Sequence, residues 1–131
     1  MKLSVHLTFA GQCEAAFRFY ERVLGASDLR MFRWGDAPGN DMPAEWLVHA
    51  SLTLGGYELM GADVAAAQYE RPRGFYVYHA VAARTDAERI FAALADGGEV
   101  VMPLSQTFWS PCFGVVVDRF GVPWEITATA A

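Results

Sequence analysis

Lysine is almost missing from this chain: Lys2 stands alone among 131 residues, and arginine supplies the remaining basic charge. Lysine and arginine number 10 together against 15 acids, a formal net charge of −5. A nucleic-acid binder neutralises phosphates with a basic surface, so no nucleic-acid partner is expected. Cysteine is scarce too. Cys13 and Cys112 form neither a Cys-x-x-Cys pair nor a disulfide framework, which points to a reduced, cytoplasmic protein. No apolar run approaches the ~18 residues of a membrane span, so no membrane is expected as partner. The longest, from Phe75 to Ala83, is broken by His79. Met1-Lys2 leads straight into alternating residues, without the apolar core or cleavage site of a secretory signal. Charged residues are only 19%, and 53% are hydrophobic. That much apolar surface excludes intrinsic disorder. A domain of this length buries roughly two thirds of its unfolded surface, without a metal or disulfide staple.

Periodicity gives the order of elements. Leu3, Val5, Leu7 and Phe9 alternate with polar neighbours, the pattern of a strand. In Cys13–Leu24 the apolar Ala16, Phe19, Tyr20 and Val23 recur at helical spacing, and Gly25 sits where a left-handed cap belongs. Asp28–Trp34 and Trp46–Leu54 read as strands, with the Pro- and Gly-bearing residues 35–45 as a loop between them. Gly55-Gly56 signals a tight turn into a strand over Tyr57–Met60. After residues 62–73, a connector, the pattern restarts. Phe75–Ala82 reads as a strand, and Thr85-Asp86-Ala87-Glu88 as a capping box that opens a helix. That helix ends at Gly97-Gly98, and strands follow at Glu99–Leu104, Phe113–Asp118 and Val122–Thr127.

The order β-α-β-β-β therefore occurs twice, in modules of about 1–61 and 74–131 that form a single domain of α+β class. Each module has one helix for one sheet face. The other face needs a partner or becomes the wall of a cavity.

Three stretches carry a family resemblance. Phe9-Ala10-Gly11-Gln12-Cys13-Glu14-Ala15-Ala16-Phe17 is followed by Phe19-Tyr20 and Leu24-Gly25. Val48 to Gly56 is followed by Leu59-Met60 and Asp63. Met102 to Trp109 precedes Phe113-Gly114, Asp118 and Phe120-Gly121-Val122-Pro123-Trp124. Together they resemble the vicinal oxygen chelate superfamily, the glyoxalase/bleomycin-resistance fold, in its PhnB-like branch. The resemblance implies paired modules forming a curved, cavity-enclosing sheet around a small-molecule ligand, often in a homodimer. It fixes no activity, because the superfamily includes isomerases, dioxygenases, thiol transferases and drug-sequestering proteins.

Metal-dependent relatives place one ligand on each of the first, fourth, fifth and eighth strands. Carried over by motif, those positions fall on Val5, near Met60, near Tyr76, and on Glu125. Val5, with Leu3, Leu7 and Phe9 on its side, reads as an apolar wall that donates nothing, and His6 is turned to the opposite face. A displaced set of His49, Glu58 and Glu125 is the alternative. With one plausible ligand in four, no metal and no other cofactor is expected.

The ligand-binding candidates are Glu125, Trp109, Tyr76, His49, Met60 and Phe108. A carboxylate between Trp124 and Ile126 is costly to bury unpaired, so Glu125 either faces a polar cavity or meets a partner. Phe108 and Trp109, with Tyr76, Tyr78 and Trp124, are candidates for an aromatic wall against a planar or cationic ligand. Cys13 is expected buried and inert, and Cys112 exposed in a loop. The leading expectation is a small-molecule binding protein without a complete metal site or an assigned reaction. The alternatives are a metal-dependent enzyme of glyoxalase or dioxygenase type, and a dimerisation module whose cavity its own side chains fill.

Overall fold

In the computed structural model, which describes residues 1–130, the chain divides into two compact units, residues 1–70 and Arg71 onward. The division falls inside the stretch expected as connector. No helix of the described residues is long and apolar enough to cross a membrane.

The first unit runs β1 (Val5–Phe9), α1 (Cys13–Leu24), β2 (Ser27–Arg33), β3 (Leu47–Leu54) and β4 (Tyr57–Asp63). Its open sheet has the order β1-β4-β3-β2, with β1 parallel to β4 and the other pairs antiparallel. Gly25 caps α1 in the left-handed region at φ 69°, a conformation that side chains disfavour. No side chain of Gln12 caps the other end of α1. The Asp63 carboxylate, arriving from the end of β4, accepts the backbone N–H of Gly11 at 2.8 Å, of Cys13 at 3.1 Å and of Leu47 at 2.9 Å.

Gly61 shows which sheet face lies under α1. A Cβ there would come within 2.5 Å of the Phe17 ring. The register sets Leu7 and Ala50 level with Gly61, and Val5 and Leu52 level with Leu59, so all of these share the α1 side. Leu7, Phe9, Ala50, Leu52 and Leu59 are buried, as are Ala16, Phe17 and Tyr20 of the helix. The Phe9 and Phe17 rings meet edge to face, with centroids 6.4 Å apart.

The second unit repeats the plan with β5 (Val77–Val81), α2 (Arg84–Ala95), β6 (Glu99–Ser105), β7 (Cys112–Val117) and β8 (Pro123–Ala128), in the sheet order β5-β8-β7-β6. Here Gly114 reports the helix side, because a Cβ on it would lie 2.7 Å from the Phe91 ring of α2. Ile126 and His79 are level with Gly114, and Trp124, Val116 and Val77 follow at the same parity. Trp124 is buried and donates its indole N–H to Asp118 at 2.9 Å. The other Asp118 oxygen accepts the N–H of Phe120 and Val122 at 2.8 and 3.0 Å, closing the turn into β8.

Several expected boundaries move. α2 begins at Arg84 after Ala83 with no side-chain cap, so Thr85 lies inside the first turn and the expected capping box does not form. Asp86 and Glu88 instead pair with Arg89 and Arg84 at 3.6 and 3.5 Å. β4 runs past Met60 to Asp63, and β5 starts at Val77 rather than Phe75. Trp34 leaves β2 for a 3-10 turn and donates its indole N–H to the Asp63 carbonyl at 3.0 Å. Cys112 opens β7 and is buried; it is not the exposed loop thiol the sequence suggested.

Candidate functional site

Each unit has a sheet face turned away from its helix, and the candidate residues collect there. In the first unit the register sets His6 beside Met60, Met60 beside Ser51, Glu58 beside Thr53, and His49 beside Phe32. The His6 and His49 ring centroids lie 6.3 Å apart, and those of Phe32 and His49 6.5 Å. Glu58 on the same face is engaged by the Lys2 ammonium. His49 and Met60, both foreseen, therefore share one surface with His6.

The placement of His6 corrects the reading of Val5. The apolar side of β1 is not a cavity wall: it lies under α1, where Leu7 and Phe9 are buried. An apolar strand face beside an amphipathic helix is the face that helix covers. That pairing of patterns was the available signal for turning the strand over.

In the second unit the face away from α2 carries Glu125, with Tyr78 level with it on β5 and Val115 level with it on β7. One step along, Thr127 is level with Phe113 and Ala80. Trp109, 56% exposed in the loop between β6 and β7, sets its ring against Phe113 at 5.5 Å and against Phe108 at 4.8 Å, both edge to face. Phe108 is 98% exposed. The Glu125 carboxylate has neither an ion pair nor a hydrogen bond among the described residues. The Thr127 hydroxyl is buried and likewise has no partner.

Two expected members of the aromatic wall stand elsewhere. Trp124 belongs to the α2 side and is fully engaged by Asp118. Tyr76 precedes β5 and is 48% exposed, and the tyrosine level with Glu125 is Tyr78. Sequence reasoning also passed over Phe113 and Thr127 as site residues.

The titratable groups away from these faces have structural surroundings. Burial, reinforced by Asp63 and Glu14, pushes the Cys13 thiol far above its ordinary range and leaves it unreactive. Hydrogen bonds from Arg33, and then from Arg18, hold the Glu14 carboxyl below the usual carboxylate range. His79 is pulled down by burial on the α2 side, with its Nε2 unpartnered.

Two four-stranded α+β units with this strand order define a glyoxalase-type fold, and the comparisons agree. Residues 4–126 match the Glyoxalase/Bleomycin resistance protein/Dioxygenase superfamily, and the chain belongs to it. Escherichia coli (strain K12) protein YjdN is 33% identical, over 96% of this chain and 94% of its own. The crystal structure of protein PA1353 from Pseudomonas aeruginosa superposes with a TM-score of 0.93 at 38% identity, covering 100% of this chain and 99% of that one. The PhnB protein of Bacillus cereus, which carries the name of a 3-demethylubiquinone-9 3-methyltransferase, gives 0.82 at 26% identity, with both chains fully covered.

Register now identifies equivalent residues in the two units. His6 is level with Met60 as Tyr78 is level with Glu125, so the first-, fourth-, fifth- and eighth-strand positions away from the helices are His6, Met60, Tyr78 and Glu125. An imidazole beside a thioether in the first unit, and a phenol beside a carboxylate in the second, each fall short of the three nitrogen, thiolate or carboxylate donors that a catalytic zinc or nickel ion takes. Among the described residues, no three His, Cys, Asp or Glu side chains gather into a candidate metal cluster.

Proposed function

We propose that this PhnB-like member of the superfamily is a small-molecule binding protein without a complete metal site, and that the ligand rests on the face of the second unit turned away from α2. The observation that carries this reading is Glu125: a partly buried carboxylate with no partner, beside Tyr78 and the Trp109–Phe113 ring pair. A strand carboxylate left unpaired against aromatic rings is uncompensated in the free protein, and a ligand compensates it. Two free, buried thiols accord with a reducing, cytoplasmic setting. The homodimer implied by the resemblance is part of the same proposal.

The test is the protein purified without added metal. Elemental analysis is expected to find well under one equivalent of any transition ion, glyoxalase activity is expected to be absent, and Glu125→Ala is expected to change ligand binding more than the melting temperature. Stoichiometric zinc, nickel, manganese or iron, lost on mutating Glu125, would overturn this in favour of a metal-dependent enzyme. One observation favours that second reading: His6 and His49 stand on the same sheet face of the first unit, with ring centroids 6.3 Å apart. Retention of an ion by a His6→Ala variant would remove that support.

A further inference from the structure

The chemistry of the Glu125 face narrows the class of ligand. Its charged groups are carboxylates, Glu125 and, level with Val117 at the β6 edge, Glu99. The arginines of α2 and of the turn before β8 are engaged elsewhere: Arg84 by Glu88, Arg89 by Asp86, and Arg119 by Asp96. Among the described residues, no cation lies within ion-pair distance of Glu125. Around it stand π faces and edges, namely Tyr78 on the neighbouring strand and the Trp109–Phe113 pair toward the other end. Thr127, two residues along β8 and at the same parity, is 6% exposed, and its hydroxyl lacks a partner. Its Cβ lies roughly 7 Å from that of Glu125 along the strand, a span one ammonium group can bridge between two side chains.

From these observations, and resting on the small-molecule reading above, we propose that the ligand is an organic cation: a protonated amine attached to a flat apolar or aromatic body. The ammonium donates to the Glu125 carboxylate and to Thr127 Oγ1, and the body packs against Trp109 and Phe113. Each part of the face then has a complement. The carboxylate gains its counter-charge, the buried hydroxyl gains a donor, and the exposed rings gain a cation and an apolar surface. An anion would meet an uncompensated carboxylate with no cationic side chain to offset it. A neutral ligand would give Glu125 at most a hydrogen bond, with no counter-charge.

The experiment uses three probes of one shape, 2-naphthylmethylammonium, 2-naphthylmethanol and 2-naphthoate, titrated into the nitrogen-15-labelled 131-residue chain. The indole N–H resonance of Trp109, assigned with Trp109→Phe, reads the binding. The ammonium probe is expected to bind about tenfold more tightly than the alcohol, and the carboxylate probe more weakly still. Glu125→Gln is expected to erase the preference for the cation, bringing ammonium and alcohol affinities within about twofold of each other. Thr127→Val, which keeps the side chain's shape, is expected to weaken the ammonium probe about threefold without lowering the melting temperature. Equal or tighter binding of the alcohol or the carboxylate, unaltered by Glu125→Gln, would overturn the cation class while leaving the small-molecule reading in place. If none of the three probes moves the Trp109 resonance at millimolar concentration, both readings fail. Unchanged circular dichroism spectra for Glu125→Gln and Thr127→Val assign their losses to the face rather than to folding.

Discussion

Asp63 concentrates three structural tasks in one side chain. It caps the start of α1, holds the entry to β3 through Leu47, and ends β4. Removing the carboxylate strands three backbone donors, two of them in buried bonds. Asp63→Ala is expected to destabilise the protein by about 3 kcal/mol, measured as a lowered urea midpoint with an unchanged slope. The sequence offers Asp63 only as a letter in a family motif. The donors it serves lie about fifty and sixteen positions away, and no local pattern encodes such a contact. Glu125 was legible for the opposite reason. A lone acid between Trp124 and Ile126 stands out in an apolar strand, whereas the missing partner and the Thr127 hydroxyl beside it are properties of packing.

At the scale of elements, alternation and the glycine caps foretold all eight strands and both helices in their order. Alternation also says which residues share a side, but not which side a helix will cover. The expectation for Val5 therefore went wrong while its strand was correctly placed. Gly61 is where that covering is tightest, and Gly61→Ala must push aside the buried Phe17 ring. A loss of about 2 kcal/mol is expected from thermal or urea unfolding. On the matching strand of the second unit, His79 stands level with Ile126 as Leu7 stands level with Gly61, so one copy half-buries an imidazole where the other buries a leucine. Burial lowers the His79 pKa below its ordinary 6.5. Its contribution is therefore intact above that value, and is lost as the pH falls toward the folded value, because the unfolded chain takes up the proton first. His79→Leu is expected to flatten this acid-side decline, and to gain about 1 kcal/mol near neutrality by removing an unpartnered nitrogen. Urea midpoints at several pH values measure both.

For the whole molecule, family membership came from motif text spread along almost the entire chain, and the repeat came from element order. Charge balance and cysteine usage limited the partners but could not name one. Exposed apolar side chains on or beside edge strands remain to be covered: Leu3 at 96% and Val5 at 38% by β1, and Val100 and Val101 at 44% and 54% on β6. Edge strands with apolar residues seek company. Light scattering at micromolar concentration is expected to return twice the 14.4 kDa chain mass, and a monomer mass would contradict the homodimer.

The parallel pairing of β1 with β4, and of β5 with β8, has a consequence for synthesis. In each unit the first strand made finds its neighbour only in the last, so a growing chain leaving the ribosome cannot complete either sheet early. β1 must wait with both edges unpaired until β4 emerges, and β5 must wait in the same way for β8. Closing such distant contacts places the chain among slow-folding topologies, with refolding on a timescale of roughly milliseconds to seconds. During that wait an apolar strand is open to wrong partners, and chaperones would meet the nascent chain in that interval.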